Sequence, residues 1–433
     1  MSDRLDVRNS MELWARAEEL IAGGSQTNSK RPSAYAPGAY PVYAARSQGC
    51  RILDVDGNEY IDYVLGLGPI TLGYCYPAVD EAIREQLAKG IVWGLLSPLE
   101  VECAELLCEM VPCCEMVRYL KGGAEVTSAA ARIARAYTGR EVILNSGYRG
   151  WADVWSAASE PPLGGGIPEC LRGLVKSYSR DDLNMLEDLL KRYGDKVAAV
   201  FVDEAGGSAA PREVVQGRRE LCDKYGVLLV YDEIVSGFRM APGGAQEHYG
   251  VTPDLACFAK GIANGMPLAA VCGRREVMQI ARDLLISITY GGEALSLAAA
   301  VACMKEYRAK PVHDTIRATG QKLVDGFNAL GQKHGVPFSA SGPVMMSAQR
   351  FAYDDAALNQ DCWTLLLQEM ARRGVLIRRG GLLFVTFSHD DAAVAQTLAA
   401  LDESLAVVRE AVDRGDVARV LATGEVQQSF RRF

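Results

Sequence analysis

Through the middle of the chain, short apolar runs alternate with stretches of helical periodicity. The runs are Val117–Leu120, Val142–Leu144, Val197–Val202, Val227–Tyr231, Leu255–Phe258 and Leu268–Cys272. Runs this apolar suit strands buried on both faces of a mostly parallel sheet. Helical spacing of apolar positions marks Ala78–Lys89, Glu100–Met110 and Val126–Tyr137. Alternation of strand and helix predicts an α/β fold. Nearer the N-terminus, a stripe of Leu13, Ala17 and Ile21 predicts a helix over 10–22 that stops at Gly23-Gly24, and the polar stretch Ser25–Arg31 reads as a loop. Residues 50–63, CRILDVDGNEYIDY, read as a hairpin turning at Asp56-Gly57. After about residue 310 the pattern changes to helices with a few alternating strands, such as Leu383–Phe387. The expected organisation is a large domain over 61–310 and a small α+β domain over 311–433, with residues 1–60 packing alongside the small one.

Composition narrows the partners. The chain has 433 residues, 49% of them hydrophobic and 23% charged, enough for a large buried core. A net charge of -8 without a long basic run argues against nucleic acid or an anionic membrane as partner. The charged N-terminal segment has no apolar signal region, and no run is long enough to span a bilayer, so a cytoplasmic location is expected. Four of the 12 cysteines, Cys103, Cys108, Cys113 and Cys114, lie close together. No C-x-x-C pair or neighbouring histidine supports a metal site there, and the segment reads as an amphipathic helix with buried thiols, suited to a reducing compartment. His248, His313, His334 and His389 show no metal spacing.

The chemistry-bearing residues sit at the ends of the predicted strands. GVLLVYDEI, residues 226–234, is an apolar strand ending in Asp232-Glu233. In open α/β sheets ligands bind at the carboxyl ends of strands. A Walker-B role for Asp232 would need a G-x-x-x-x-G-K-[ST] loop, and the chain has none. The remaining reading is a partner for a pyridinium nitrogen, which calls for a lysine at the end of a neighbouring strand. LACFAKG supplies Lys260. A partly desolvated lysine favours the free amine that a Schiff base requires, and an aspartate that keeps the ring nitrogen protonated makes the ring an electron sink. A phosphate cradle is expected at Lys121-Gly122-Gly123-Ala124-Glu125, between a strand and a helix whose N-terminal amides point at an anion. The aromatics from Tyr148 to Trp155 fit either a sugar site or core packing.

Together these residues resemble the class III pyridoxal 5′-phosphate (PLP) aminotransferases. The similar branch contains glutamate-1-semialdehyde aminomutase and the sugar and aminoglycoside aminotransferases. The resemblance runs over about residues 12–410, in the blocks DVDGNEYIDY, RIARAYTGR, LLVYDEIVSGFRMAPGGAQEHYGVTPDL, AKGIANGMPLAA and TYGGEALSLAA. It implies the fold-type I PLP architecture and a homodimer with active sites at the interface. It further implies a Schiff base on Lys260, Asp232 at the ring nitrogen, Asp203 near the ring oxygen, and Ile234 and Tyr148 on the two ring faces. Gly123 and Ala124 would offer amides to the phosphate, and Thr289 would reach the phosphate of the partner subunit's cofactor.

The departures bear on substrate. The family's Asn-Ser-Gly-Thr-Glu cradle is Lys121 to Glu125 here, so two hydroxyl contacts are lost and Lys121 is a candidate replacement. Tyr-His-Gly is Tyr148-Arg149-Gly150, Val-Glu-Pro is Val202-Asp203-Glu204, and Ser-Gly-Asn-Pro is Gly291-Gly292-Glu293-Ala294, a form similar to the sugar-acting members. Leu67 stands where the aminomutase carries a tryptophan. Arg31, Arg149 and Glu293 are the candidate substrate contacts, and Arg378-Arg379 reads as a solvated pair before a turn. The expected activity is an aminotransferase exchanging an amino and an oxo group on a sugar or aminoglycoside, in antibiotic or other secondary metabolism, with a separate amino donor. An isomerase, epimerase or eliminating enzyme on an aminosugar uses the same carbanion and stays open as the alternative. Glutamate-1-semialdehyde aminomutase activity and a catalytically lapsed partner subunit rank behind both.

Overall fold

A computed structural model describes residues 5–157, 159, 163–204 and 208–422. The chain forms two compact units. One is built from the residues up to Leu67, from Leu72–Tyr76 and from Asp314 onward. The other comprises Gly68–Thr71 and Pro77–His313.

The second unit is organised on a seven-stranded sheet: β1 (Met116–Leu120), β2 (Val142–Asn145), β3 (Val175–Ser177), β4 (Val197–Val202), β5 (Leu228–Asp232), β6 (Leu255–Phe258) and β7 (Ala269–Gly273), in the spatial order β1-β7-β6-β5-β4-β2-β3. Only β7 runs against its neighbours, so the other six strands end at one edge of the sheet. The inner strands are buried along their whole length, which is why they carry unbroken apolar runs. Edge strand β3, Val-Lys-Ser, has a single apolar residue and no readable signal; its pairing with β2 makes it a strand. The Gly123–Thr138 helix follows β1. Its small buried face of Val126, Ala130, Ile133 and Ala134 joins the core with Ile143, Phe201, Val230 and Leu255.

In the first unit, the hairpin of Arg51–Asp54 and Glu59–Asp62 turns where the sequence places it. Buried Asp54 accepts bonds from the amides of Asp56 (2.9 Å) and Asn58 (2.8 Å) and from the Tyr60 hydroxyl (2.8 Å). Ala44–Gln48 and Val375–Leu376 complete that sheet, and Phe338–Ser341, Met346–Phe351 and Leu382–Phe384 form another. The strand expected over Leu383–Phe387 ends at Phe384, because the Thr386 amide turns to donate to His389 Nδ1 at 3.0 Å. Arg378 and Arg379 are not a solvated pair: each is 8% exposed. Arg379 donates to the carbonyls of Gln360 and Tyr35 and to the Thr364 hydroxyl, and burial pulls its pKa down to about 10. Of the four clustered cysteines, Cys103, Cys113 and Cys114 are buried, but Cys108 is exposed. Among the described residues no helix is long and apolar enough to cross a membrane.

Candidate active site

The edge where six strands end gathers the chemistry-bearing residues of the second unit. Asp232 is the last residue of β5, and its carboxylate accepts from the Ile234 amide at 3.0 Å in a tight local turn. That turn places Ile234 over the start of the Gly123–Thr138 helix. A Cβ at Gly123 would stand 2.9 Å from Ile234 Cδ1, so the glycine lets the two close. Lys260 follows β6 and opens a short turn with φ +48°, a left-handed conformation that a lysine adopts only when its surroundings enforce it. The Tyr307 hydroxyl helps, donating to the Gly261 carbonyl at 2.7 Å.

Burial pushes the Asp232 carboxyl up to about 6. Arg149 opposes that shift, Asp203 adds to it, and Lys260 lowers it. These three influences place Asp203 and Lys260 within electrostatic reach of Asp232, from the ends of β4 and β6. Glu204, beside Asp203, turns the other way and forms a fully buried ion pair with Arg218.

The helix N-terminus fits a phosphate. Glu125 folds back to accept from the amides of Lys121 and Gly122, both at 2.9 Å. The next amides, Gly123 and Ala124, belong to the first helical turn, whose donors have no intrahelical acceptor. Gly150 lets the 146–150 loop come down onto this turn. Its φ is +122°, and a Cβ there would lie 2.4 Å from Ala124 Cβ. The Thr127 hydroxyl ties the loop in place by donating to the Arg149 carbonyl at 2.7 Å.

Two residues expected at the substrate are committed elsewhere. The Arg149 guanidinium is 1% exposed and donates to Asp232 Oδ2 (3.2 Å), the Tyr148 carbonyl (2.7 Å) and the Ser146 carbonyl. Its charge compensates a buried carboxylate. Glu293 caps the Ala294–Ala309 helix, accepting from the amides of Leu295 (2.9 Å) and Ser296 (3.1 Å). It also binds Lys121 Nζ at 2.7 Å, so Lys121 is engaged by a carboxylate at the place where it was expected to meet phosphate. Of the aromatics, Tyr148 (44%) and Trp151 (78%) are exposed, whereas Trp155 packs edge-on against Phe201. Thr289 is exposed. Arg31 belongs to the other unit. Thr127 and Ser146 were not singled out from the sequence; the one signal near them was the arginine standing where the similar family has histidine.

A lysine at one strand end, a buried aspartate at the next, and a glycine-lined helix start beside them form a set that fits PLP. Comparison with known proteins agrees. The sequence profile of the family described as Aminotransferase class-III matches residues 34–405. A 3-aminobutyryl-CoA aminotransferase of Cloacimonas acidaminovorans is 33% identical over 95% of this chain and 100% of the relative. A glutamate-1-semialdehyde 2,1-aminomutase of Syntrophobacter fumaroxidans is 34% identical over 92% and 97%. Among solved structures, the PLP-bound FumI protein of Sphingopyxis sp. MTA144 superposes with a TM-score of 0.88 at 30% identity, covering 94% of this chain and 98% of that one. An omega-transaminase from Sphaerobacter thermophilus gives 0.84 at 27% identity, covering 92% and 98%.

Proposed function

Because this chain belongs to the class III aminotransferases, enzymes of the PLP fold-type I architecture that use PLP as cofactor, we propose that it moves an amino group between a donor and an amino or oxo sugar, with Lys260 and Asp232 as its catalytic residues. When bound, PLP supplies the electron sink that stabilises negative charge on the carbon beside the amine. Lys260 provides the amine that anchors the cofactor and, once freed by substrate, the base and acid that carries a proton between the two reacting carbons. Asp232 would hold a proton on the ring nitrogen. Gly123 and Ala124 would donate to the phosphate, Ile234 and Tyr148 would flank the ring, and Asp203 would lie toward the ring oxygen.

One observation carries the sugar reading: Lys121 and Arg149, the cations flanking the cradle, are each held by a carboxylate. Neither of these charges is left to a substrate carboxylate alone, while Trp151, 78% exposed, offers an aromatic ring that suits a polyhydroxylated substrate. A second reading draws on the aminomutase relatives, in which the amino group moves within one substrate. Adding an aminosugar such as neamine to the yellow holoenzyme separates them. Loss of the yellow absorbance with stoichiometric oxo product supports transfer to a separate acceptor. Repeated turnover without any acceptor supports internal transfer. No reaction with aminosugars, beside reaction with a 3-amino acid, sinks the sugar reading.

We further infer a homodimer. Leu95 (84%), Leu96 (85%), Val101 (62%), Leu285 (82%) and Tyr290 (61%) expose large apolar side chains on the second unit, and exposed Thr289 lies in the same stretch as the last two. A second copy covering them would bring Thr289 to its partner's cofactor. Sedimentation of the holoenzyme at monomer mass, at micromolar concentration, would count against it. Twelve unpaired thiols favour a reducing cytoplasm as its location.

A further inference from the structure

We propose that Arg149 is the positioning residue of Asp232: a permanent cation, anchored by the backbone of its own loop, that orients the carboxylate and keeps it anionic toward the cofactor's ring nitrogen. The inference rests on the reading that Asp232 meets that nitrogen.

Arg149 is held by its own loop and by Asp232, and only its buried Nε is left without a hydrogen-bond partner among the described residues. Its two terminal nitrogens are used on Ser146 O, Tyr148 O and Asp232 Oδ2, and the side chain is 1% exposed. Its own carbonyl is held by Thr127, a residue of the helix that forms the phosphate cradle. The arginine is therefore fixed at both ends, and the carboxylate is oriented by it on Oδ2 and by the Ile234 amide on Oδ1.

A cation is needed because the fold opposes the charge on Asp232. The groups facing that carboxylate are Arg149 from the loop, Asp203 from beyond β4, Lys260 from beyond β6, and the buried Cys257 thiol of β6. Burial and Asp203 favour the neutral acid. Lys260 favours the anion only while charged, and its chemistry requires it to give that charge up as a free amine. A guanidinium does not titrate in the working range. Of the two cations, Arg149 is the one whose support persists when Lys260 is neutral. A histidine at this position would supply the same contact with a charge that depends on pH.

The test measures PLP affinity of the apoenzyme by quenching of intrinsic fluorescence from pH 6 to 9. It compares wild type, Arg149→Lys, Arg149→Gln, Asp232→Asn and the double variant Arg149→Gln/Asp232→Asn, with thermal unfolding as the folding control. Arg149→Gln should bind PLP on the order of tenfold more weakly at pH 8. The deficit should deepen toward pH 6, because without the cation the carboxylate takes up its proton at higher pH. Arg149→Lys, which keeps the charge, should stay within about threefold of wild type. In the Asp232→Asn background the glutamine change should add less than about twofold, since a residue that acts through Asp232 has nothing left to act on. An equal loss in both backgrounds, with no pH dependence and no rescue by lysine, would mean that Arg149 only fills space, and the inference falls. If Asp232→Asn itself binds PLP as wild type does, the underlying reading of Asp232 falls instead. Should Arg149→Gln not fold, Arg149→His replaces it. Its affinity should drop below wild type as pH rises past about 6.5, where the imidazole loses its charge; a profile of wild-type shape overturns the inference.

Discussion

Two ion pairs stand at the edge of the large sheet, and they work in opposite senses. Lys121 and Glu293 join the end of β1 to the cap of the Ala294–Ala309 helix, with side chains 17% and 10% exposed. Arg149 and Asp232 join the 146–150 loop to the end of β5, at 1% and 8%. Burial raises both carboxyls. In Glu293, bonds from Lys121 and the helix amides overcome it, and the net shift is downward. In Asp232, Arg149 only reduces the effect of burial, and the carboxyl stays up near 6. The first pair therefore adds to stability at neutral pH. The second holds a charge that the fold by itself resists, which is the usual signature of a group kept for chemistry.

The comparison can be broken in order of expected effect. Lys260→Ala should lower turnover by at least about 1000-fold, the scale of losing the group that carries the proton, and should leave PLP removable by dialysis. Asp232→Asn should cost on the order of 100-fold in kcat with a smaller change in KM, because it removes electrostatic support that matters most as charge develops. Gly150→Ala forces a Cβ to within 2.4 Å of Ala124 in a left-handed conformation. It should cost about 1–3 kcal/mol of stability and weaken PLP binding at the same time. Glu293→Gln should cost only about 1–2 kcal/mol, the worth of a helix cap and a mostly shielded ion pair, and should leave PLP bound.

The smallest effect is the most diagnostic, because its sign differs between the pairs. Glu293 has a folded pKa below the unfolded one, so its contribution is present above the unfolded value and is lost as pH falls through the folded one. Asp232 has a folded pKa near 6, above its unfolded value of 3.8. The folded apoenzyme then binds the extra proton, and stability falls as pH rises from about 4 to about 6. Chemical unfolding of the apoenzyme should show wild type losing ground to Asp232→Asn as pH rises through that window, and gaining ground on Glu293→Gln as pH rises at the acid side of 4.5, the unfolded value of Glu293. Slopes of the same sign would show that the two pairs are alike.

How much of this was legible beforehand follows from the kind of signal each element carries. The inner strands, the Gly123–Thr138 helix and the Asp54 hairpin declare themselves in hydrophobic period and turn residues, because burial on both faces and a tight turn restrict which residues can stand there. Strand β3 does not, since an edge strand of three residues is defined by its neighbour. Lys260, Asp232 and the glycine turn were legible because each ends a readable strand, and strand ends of one sense converge at one edge. The roles of Arg149, Glu293, Arg378 and Arg379 were not. Whether a charged side chain faces a ligand, caps a helix or neutralises a buried group depends on what the chain brings within hydrogen-bonding distance of it, and that partner lies at remote positions: residue 232 for Arg149, residue 121 for Glu293, residue 35 for Arg379.

The class of fold and the cofactor could be read from the chain alone, because local patterning and strand-end chemistry are short-range properties. Which charges are available and which are committed is a property of the folded chain. Long-range contacts set the burial and pairing of each charge, and the same arginine is a substrate clamp in water and a counter-ion once a buried carboxylate reaches it first.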